Sequence, residues 1–175
     1  MSTTQRPGPA VGAESPPEST PESTLESNKA LAVTWLEQVS RHDIDAMLAT
    51  TTADWRMHGG PPDLATGPDG IRSLFEHIGP VRQEWTVDDV FAEGDRVLVR
   101  ATNRCEQESF FGLPAAGTVQ VFTAMFLFRV VDGRVAEIWR NADDLGRYLQ
   151  LGGVLAVQER GYTAPCTSVD TEGFR

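Results

Sequence analysis

The chain has 175 residues, a formal net charge of −10 at pH 7 and a sequence pI near 4.7. Its 40% hydrophobic residues, with eight Phe and four Trp, are enough for the core of one domain. A surface this acidic repels phosphate backbones, so nucleic acid is excluded as an expected partner.

The cysteines and the apolar segments exclude several further classes of protein. Cys105 and Cys166 have neither metal-binding spacing nor a pattern that argues for a disulfide, and we expect no metal site and no cofactor. The N-terminus lacks the basic and apolar regions of a signal peptide. No apolar run approaches the roughly 18 residues that span a membrane. We therefore expect a cytoplasmic protein without a membrane partner.

Composition divides the chain into three parts. Residues 1–27 are almost entirely Ser, Thr, Pro, Glu, Gly and Ala, which bury too little apolar area to offset the entropy of ordering. We predict a disordered tail over 1–27, one folded domain over 28–155 and a flexible tail over 156–175.

The first half of the domain has the apolar periodicity of helices. Ser27 or Asn28 is a candidate N-cap for a first helix that reaches Val39, and Asp43 is the candidate cap of a short second one. A short strand over 54–58 stops at a Gly-Gly-Pro-Pro loop. A third helix opens at Gly67, with an apolar stripe of Ile71, Leu74, Phe75 and Ile78.

After Pro80 the apolar period changes from 3.6 to 2, which predicts strands. They run through 85–91, 97–102, 119–131 and 135–139, and Asp132-Gly133 is a strong hairpin signal between the last two. Asp143 then begins a final helix. Helices followed by a strand meander predict an α+β fold, with a curved antiparallel sheet wrapped over the N-terminal helices. The concave face of such a sheet suits a ligand pocket.

Five segments resemble SnoaL-like polyketide cyclases, members of the nuclear transport factor 2-like and ketosteroid isomerase-like superfamily. In chain order they read RHDIDAMLA, DWRMHGGPP, GPDGIRSLF, FFGLPAAG and FRVVDGRVAEIWRNADDLGRYLQLGG. The resemblance covers about Asn28 to Gly153. It implies a cone-shaped α+β barrel around a pocket for a small-molecule substrate, and a homodimer formed through the outer sheet face.

The acid–base residues of the best-known relatives are missing from the matching positions. For the aldol cyclases these positions hold Ala124, Phe126, Ile138 and Arg140, none of which accepts a proton at neutral pH. For enzymes that resemble limonene-epoxide hydrolase, they hold Ala101, Asn103 and Asn141. Amides cannot deprotonate water, so this second resemblance implies no hydrolase mechanism.

Four polar residues remain as catalytic candidates. Asp143 is a general acid or base, or alternatively the cap of the last helix. Arg140 holds an anion of the substrate, or lies on an outward strand face. Asn141 polarises the substrate, and His58 reaches the pocket mouth or is a satisfied, partly buried histidine. The candidate pocket-lining residues are Trp139, Phe126, Ile138, Asn103, Ala124 and Trp55.

A pocket without a proton-transfer set favours a reaction guided by shape. Holding reactants in closing geometry is worth effective molarities of about 10⁵–10⁸ M, against about 10²–10⁴-fold for a positioned acid or base. We therefore expect a cofactor-independent cyclase of polyketide-type natural-product biosynthesis. The alternatives are an epoxide-opening enzyme that uses Asp143 and a non-catalytic small-molecule binding protein.

Overall fold

The computed structural model describes residues 21–154, which form four helices and seven strands. The helices are α1 (Pro21–Arg41), α2 (Ile44–Ala49), α3 (Gly67–Ile78) and α4 (Asp144–Gln150). The strands are β1 (Thr51–His58), β2 (Val81–Glu93), β3 (Arg96–Gln107), β4 (Ser109–Phe110), β5 (Leu113–Pro114), β6 (Gln120–Val131) and β7 (Arg134–Ala142).

Five strands make one curved, open sheet in the order β1-β7-β6-β3-β2, and β4 pairs with β5 in a small separate hairpin. This confirms the α+β prediction. The prediction of an antiparallel sheet needs one correction, because β1 runs parallel to β7. The chain leaves β1 through α3 and enters the sheet again at its far edge, so β1 ends up beside the last strand rather than beside β2.

The core lies between the concave face of the sheet and the helices. Alternate side chains of β3 point inward, and Val97, Val99 and Ala101 are fully buried as the period-2 pattern predicts. From α1, Trp35 meets the ring of Phe128 on β6 edge-on, with 5.8 Å between ring centroids. Such a pair adds about 0.5–1.5 kcal/mol to the burial of two large apolar side chains.

The first helix begins earlier than predicted. It starts at Pro21, and the hydroxyl of Ser27 donates to the Ser23 carbonyl inside the helix instead of capping it. Proline at the first helical position and Glu22 in the first turn both favour the start of a helix here. The sequence analysis missed them because the surrounding Ser, Thr, Pro and Glu composition is typical of disorder. The predicted disordered tail is therefore wrong over 21–27. The predictions for 1–20, for 156–175 and for Cys166 lie outside the described residues.

Other local signals are confirmed. The Asp43 carboxylate accepts a hydrogen bond from the Ala46 amide at 3.1 Å and caps α2. Asp132 and Gly133 have φ values of +50° and +69°, as the tight hairpin between β6 and β7 requires. The stripe of α3 is buried at Ile71, Leu74 and Phe75 and partly buried at Ile78, so this helix packs against the sheet as predicted.

A charged and aromatic cluster joins strands on the outer face of the sheet. The Glu137 carboxylate accepts from Arg129 at 2.7 Å and lies 3.2 Å from Nε2 of His58. The His58 ring stacks on Trp139, with centroids 4.7 Å apart, and the guanidinium of Arg96 covers the same indole at 5.0 Å. His58 and Trp139 thus face away from the helices.

Gly59 allows the end of β1 to approach the backbone of β7. Its φ is +73°, and a Cβ at this position would collide with the carbonyl of Arg140. Gly133 has nearly the same φ, +69°, but a Cβ there would meet nothing within 4 Å. The two glycines therefore share a backbone conformation and differ in the space around them.

This difference predicts that replacing each glycine by alanine lowers the free energy of unfolding by a different amount. Gly133→Ala should lower the free energy of unfolding by about 1 kcal/mol through backbone strain. Gly59→Ala should lose about 1–3 kcal/mol more, because packed backbone must move. Urea unfolding of both variants tests this, and equal losses would contradict it.

The outer cluster should make stability depend on acid pH. Hydrogen bonding from Arg129, with a smaller contribution from His58, lowers the pKa of Glu137 below its ordinary value of 4.5. Because the folded pKa is the lower one, this stabilisation is present above pH 4.5 and is lost as the pH falls through the folded value. We predict that Glu137→Gln is destabilised at pH 7 and that its deficit against the wild type shrinks towards pH 3.

The matched control for that measurement is Glu84→Gln, an exposed residue of β2 that forms no ion pair with the described residues. Its difference from the wild type should stay small at both pH values. A deficit of Glu137→Gln that does not change between pH 7 and pH 3 would show that the carboxylate contributes nothing to acid sensitivity.

Candidate functional site

A cavity of about 480 Å³ lies between the helices and the concave face of the sheet. Its volume falls in the range of about 300–1,000 Å³ that is typical of small-molecule sites. Trp85 stands edge-on to Phe122 and Phe126, with centroid distances of 5.6 and 5.1 Å, so these three rings form one packed aromatic wall. The other apolar lining residues include Trp35, Leu36, Val39, Met57, Leu74, Ile78, Val81, Phe110 and Phe111.

The polar side chains gather at one end of this cavity. Gln83 comes from β2 and Gln107 from the end of β3, while Arg140 comes from β7. Asp144 and Arg147 are added by α4, which turns back over the end of the sheet because Asp143 caps it. The cavity therefore has apolar walls and one polar end.

Arg140 and Asp144 form a bidentate ion pair within the polar end. The two guanidinium nitrogens of Arg140 donate to the two carboxylate oxygens at 2.8 and 2.7 Å. Their side chains are 19% and 30% exposed, so the pair is partly shielded from solvent. Because the charges compensate each other, Arg140 is not a free cation, and Asp144 is not a free base.

Arg147 is held by neutral groups. Its Nε donates to the Gln120 amide oxygen at 2.6 Å, and its Nη2 donates to the Gln107 amide oxygen at 2.7 Å and to the Cys105 sulfur at 3.2 Å. The residue is only 8% exposed. These bonds tie α4 to β3 and β6, and they leave the cation without a carboxylate partner among the described residues.

The surroundings of Arg147 are aromatic as well as buried. Its guanidinium carbon lies 3.9 Å from the centroid of Phe110 and 4.8 Å from that of Phe122. Burial lowers the pKa of Arg147, and the nearby Cys105 and Asp144 oppose the shift. An arginine stays protonated in proteins, so the cavity end carries a buried positive charge. Burial also raises the pKa of the Cys105 thiol, which is therefore a neutral hydrogen-bond acceptor here.

Two buried donors of the lining have no partner. They are Nε1 of Trp35 and Nε2 of Gln83. The amide of Asn103 donates to the Gln83 oxygen at 3.3 Å, while its own oxygen is likewise unpartnered. Buried polar atoms are normally satisfied, so these three atoms are exceptions in the layer directly behind the cavity surface.

Of the four catalytic candidates, the structure places only Arg140 on the cavity. The Asp143 carboxylate accepts from the Gly146 amide at 2.8 Å, which is the helix-cap alternative. An epoxide-opening mechanism with Asp143 in the cavity is therefore wrong. Asn141 is exposed on the outer face beside Met125, and His58 lies in the outer cluster.

The six candidate pocket-lining residues also differ in whether they reach the cavity. Phe126 lines the cavity. Trp139 lies on the outer face against His58. The remaining four are buried within the domain and do not line the cavity: Ala124, Ile138, Trp55 and Asn103.

The sequence reasoning missed the residues that dominate the polar end. Asp144 and Arg147 were not candidates, although they lie three residues apart in the predicted last helix, the spacing at which helical side chains share a face. His77 is likewise absent from the sequence candidates, yet it lines the cavity from the end of α3. Its Nδ1 lies 3.0 Å from the Ser73 carbonyl. A carbonyl only accepts, so Nδ1 donates, and Nε2 of the neutral ring keeps its lone pair.

A second, larger groove of about 710 Å³ lies on the outside of the domain along α1, β2 and β3. Charged side chains line it, and they pair with one another where Arg82 donates to Glu106 at 2.6 Å. The Arg82 side chain is 84% exposed. We place the site in the smaller cavity, because of the two it is the one whose described lining combines several aromatic side chains with the buried charge of Arg147.

Neither a metal centre nor a membrane span is found in the part of the chain that the structure describes. Within 21–154, no group of three or more His, Cys, Asp and Glu side chains is placed to hold a metal ion. None of the helices in these residues is both long enough and apolar enough to cross a membrane.

Comparison with known structures gives the same fold. TsrD from Streptomyces laurentii is 26% identical with a TM-score of 0.65, over 74% of this chain and 97% of TsrD. IdmH, a candidate polyketide cyclase from Streptomyces antibioticus, is 23% identical with a TM-score of 0.61, over 71% and 98%. An LEH-like epoxide hydrolase of M. tuberculosis is 19% identical with a TM-score of 0.59, over 73% and 91%.

No curated protein matches this sequence significantly. The SnoaL-like domain profile matches residues 32–138, which is more than half of the chain and includes α2, α3 and the strands from β1 to most of β7. The fold, its cavity and this match agree with the resemblance found in the sequence. The chain belongs to the SnoaL-like domain family.

Proposed function

We propose that the protein is a cofactor-independent cyclase of natural-product biosynthesis, which closes a ring in a flexible polyketide-type chain held in the 480 Å³ cavity. The supporting observation is the division of that cavity into packed aromatic walls and a small polar end. Membership of the SnoaL-like family and the likeness to IdmH agree with such an activity.

The reaction that suits this cavity is redox-neutral. A carbon–carbon bond forms between a nucleophilic carbon and an electrophilic double bond of the same chain, and the π bond of the acceptor is consumed. The proton lost from the nucleophilic carbon returns at the acceptor, so the product is an isomer of the substrate. The walls contribute by fixing the chain in its closing geometry, which is worth effective molarities of about 10⁵–10⁸ M.

Few lining groups can move a proton in this step. Asp144 is engaged by both nitrogens of Arg140. Nε2 of His77 is open to a substrate, but this residue is exposed at the end of α3. We therefore assign the main part of the rate enhancement to the walls rather than to an acid–base pair.

The test uses linear N-acetylcysteamine thioesters of unsaturated β-keto acids, with isomeric ring products detected by chromatography, mass spectrometry and NMR. We predict that the wild type converts members of this set and that Phe126→Leu lowers kcat/KM by about tenfold or more, because a reshaped wall no longer holds the chain. The matched control is Phe75→Leu, the same change at a buried residue of α3 that does not line the cavity and whose ring packs against His42. It should lose stability and keep its rate.

Variants at the proton-moving positions decide between shape and acid–base chemistry. His77→Gln and Asp144→Asn should each lower kcat by less than tenfold. A loss of about 10²–10⁴-fold at either position is what a positioned general acid or base contributes, and it would overturn the assignment to the walls.

A non-catalytic binding protein is the second candidate, and one observation favours it. Asp144, the only carboxylate that residues 21–154 contribute to the cavity lining, is held in an ion pair with Arg140. Binding of the thioesters without conversion, in a protein that unfolds cooperatively, would establish this alternative in place of the cyclase.

We also propose a homodimer formed through the outer sheet face. Exposed apolar side chains lie there on neighbouring strands: Met125 is 50%, Val121 45% and Leu98 37% exposed. Exposed apolar surface on a sheet face is typical of an interface.

Light scattering after gel filtration should give a dimer mass, and Met125→Asp should give a monomer. Leu149→Asp, at an equally exposed residue of α4, is the control that should remain dimeric. A monomeric wild type would contradict the proposal.

A further inference from the structure

Arg147 differs from every other charged residue that the structure describes. It is the one charged side chain in residues 21–154 that belongs to the buried interior, at 8% exposure. None of the ion pairs in that part of the chain includes it. A buried cation without an anion is unfavourable, because the loss of hydration is not offset by a counter-charge.

A purely structural role does not account for the charge. The hydrogen bonds of Arg147 connect α4 to Gln120 on β6 and to Gln107 at the end of β3. These two acceptors are neutral amides and the third, the Cys105 sulfur, is neutral as well, so neutral donors would satisfy them without a buried charge. The positive charge needs a negative partner, and the described residues do not supply one within ion-pair distance.

The guanidinium of Arg147 also has N–H groups that form no hydrogen bond with the described residues. Nε and Nη2 are occupied, whereas Nη1 donates to none of the described residues. Nη1 is not enclosed by protein atoms, and Arg147 lines the cavity, so this nitrogen is accessible from it. Because Phe110 and Phe122 cover the guanidinium at 3.9 and 4.8 Å, a ligand is expected to approach at the Nη1 edge.

Other parts of the lining favour the same charge on a ligand. Among the described lining residues, the single carboxylate is that of Asp144, which is already compensated by Arg140 and so offers little repulsion to an anion. The described part of the cavity thus offers one uncompensated positive charge against apolar walls.

We infer, on the basis of the function proposed above, that Arg147 anchors the substrate and that this substrate carries an anionic oxygen group, a carboxylate or the enolate of a β-dicarbonyl. The delocalised anion accepts hydrogen bonds from Nη1, while the carbon chain folds onto the aromatic walls. Arg140, which the sequence made the anion-binding candidate, instead orients Asp144.

Binding of matched probe pairs to the full-length protein tests this inference. The first pair is 2-naphthoate and its neutral isostere 2-naphthamide, and the second is 4-hydroxycoumarin, an ionised enol at pH 7.5, and neutral coumarin. Calorimetry at fixed ionic strength gives the four Kd values. We expect the anion of at least one pair to bind tenfold or more tightly than its neutral partner. The pair that shows the preference tells whether the recognised group is a carboxylate or an enolate.

Two variants that each remove one positive charge distinguish a specific effect of Arg147 from the effect of the protein's net charge. Arg147→Gln should reduce the preference for the anion to less than threefold and change the Kd of the neutral probe little. Arg82→Gln removes an exposed arginine outside the cavity and should keep the full preference. Retention of the preference in Arg147→Gln would overturn the inference.

The wild type alone keeps the inference testable if Arg147→Gln does not fold. Equal binding of the charged and neutral members in both pairs would remove the role of Arg147 as an anion anchor. If the wild type then still closes rings in the thioester assay, the proposed function stands without this inference. If no probe binds and no thioester is converted, both are overturned.

Discussion

The hydrogen bonds of Arg147 are the interaction on which the cavity depends. They attach α4 to the ends of β3 and β6, and so close the polar end of a sheet that is otherwise open. The Asp143 cap sets the start of α4 and thereby the position of Asp144 next to Arg140. The first turn of α4, capped by Asp143, therefore places both the Arg140–Asp144 ion pair and the buried Arg147 at one end of the cavity.

This arrangement separates two tasks within a small volume. The edge-to-face contacts of Trp85 with Phe122 and Phe126 hold the aromatic wall together. Because Asp144 is compensated by Arg140, the net charge of the polar end is set by Arg147. In the proposed cyclase, the walls would orient the flexible chain and the polar end would hold its anionic group, so orientation rather than proton transfer would supply the rate enhancement.

Most of the fold was predictable from the sequence, because it follows from local signals. The period-2 pattern of β3, the cap at Asp43 and the turn at Asp132-Gly133 act over a few residues and need no tertiary context. Two features were not local. The parallel pairing of β1 with β7 joins residues about eighty positions apart, and the start of α1 at Pro21 is masked by a Ser, Thr, Pro and Glu composition.

The site was less predictable, because it depends on which face each strand residue occupies. The sequence offered four consecutive candidates, Ile138 to Asn141, but alternate residues of a strand point to opposite faces, so at most two can face inward. What the sequence determined by itself was the order of the elements and the family. Tertiary structure alone decided that Arg140 faces the cavity while Trp139 faces outward, and that α4 brings Arg147 beneath the sheet. The physical reason is that these placements follow from pairing and packing between distant segments, whereas periodicity and capping are properties of neighbours along the chain.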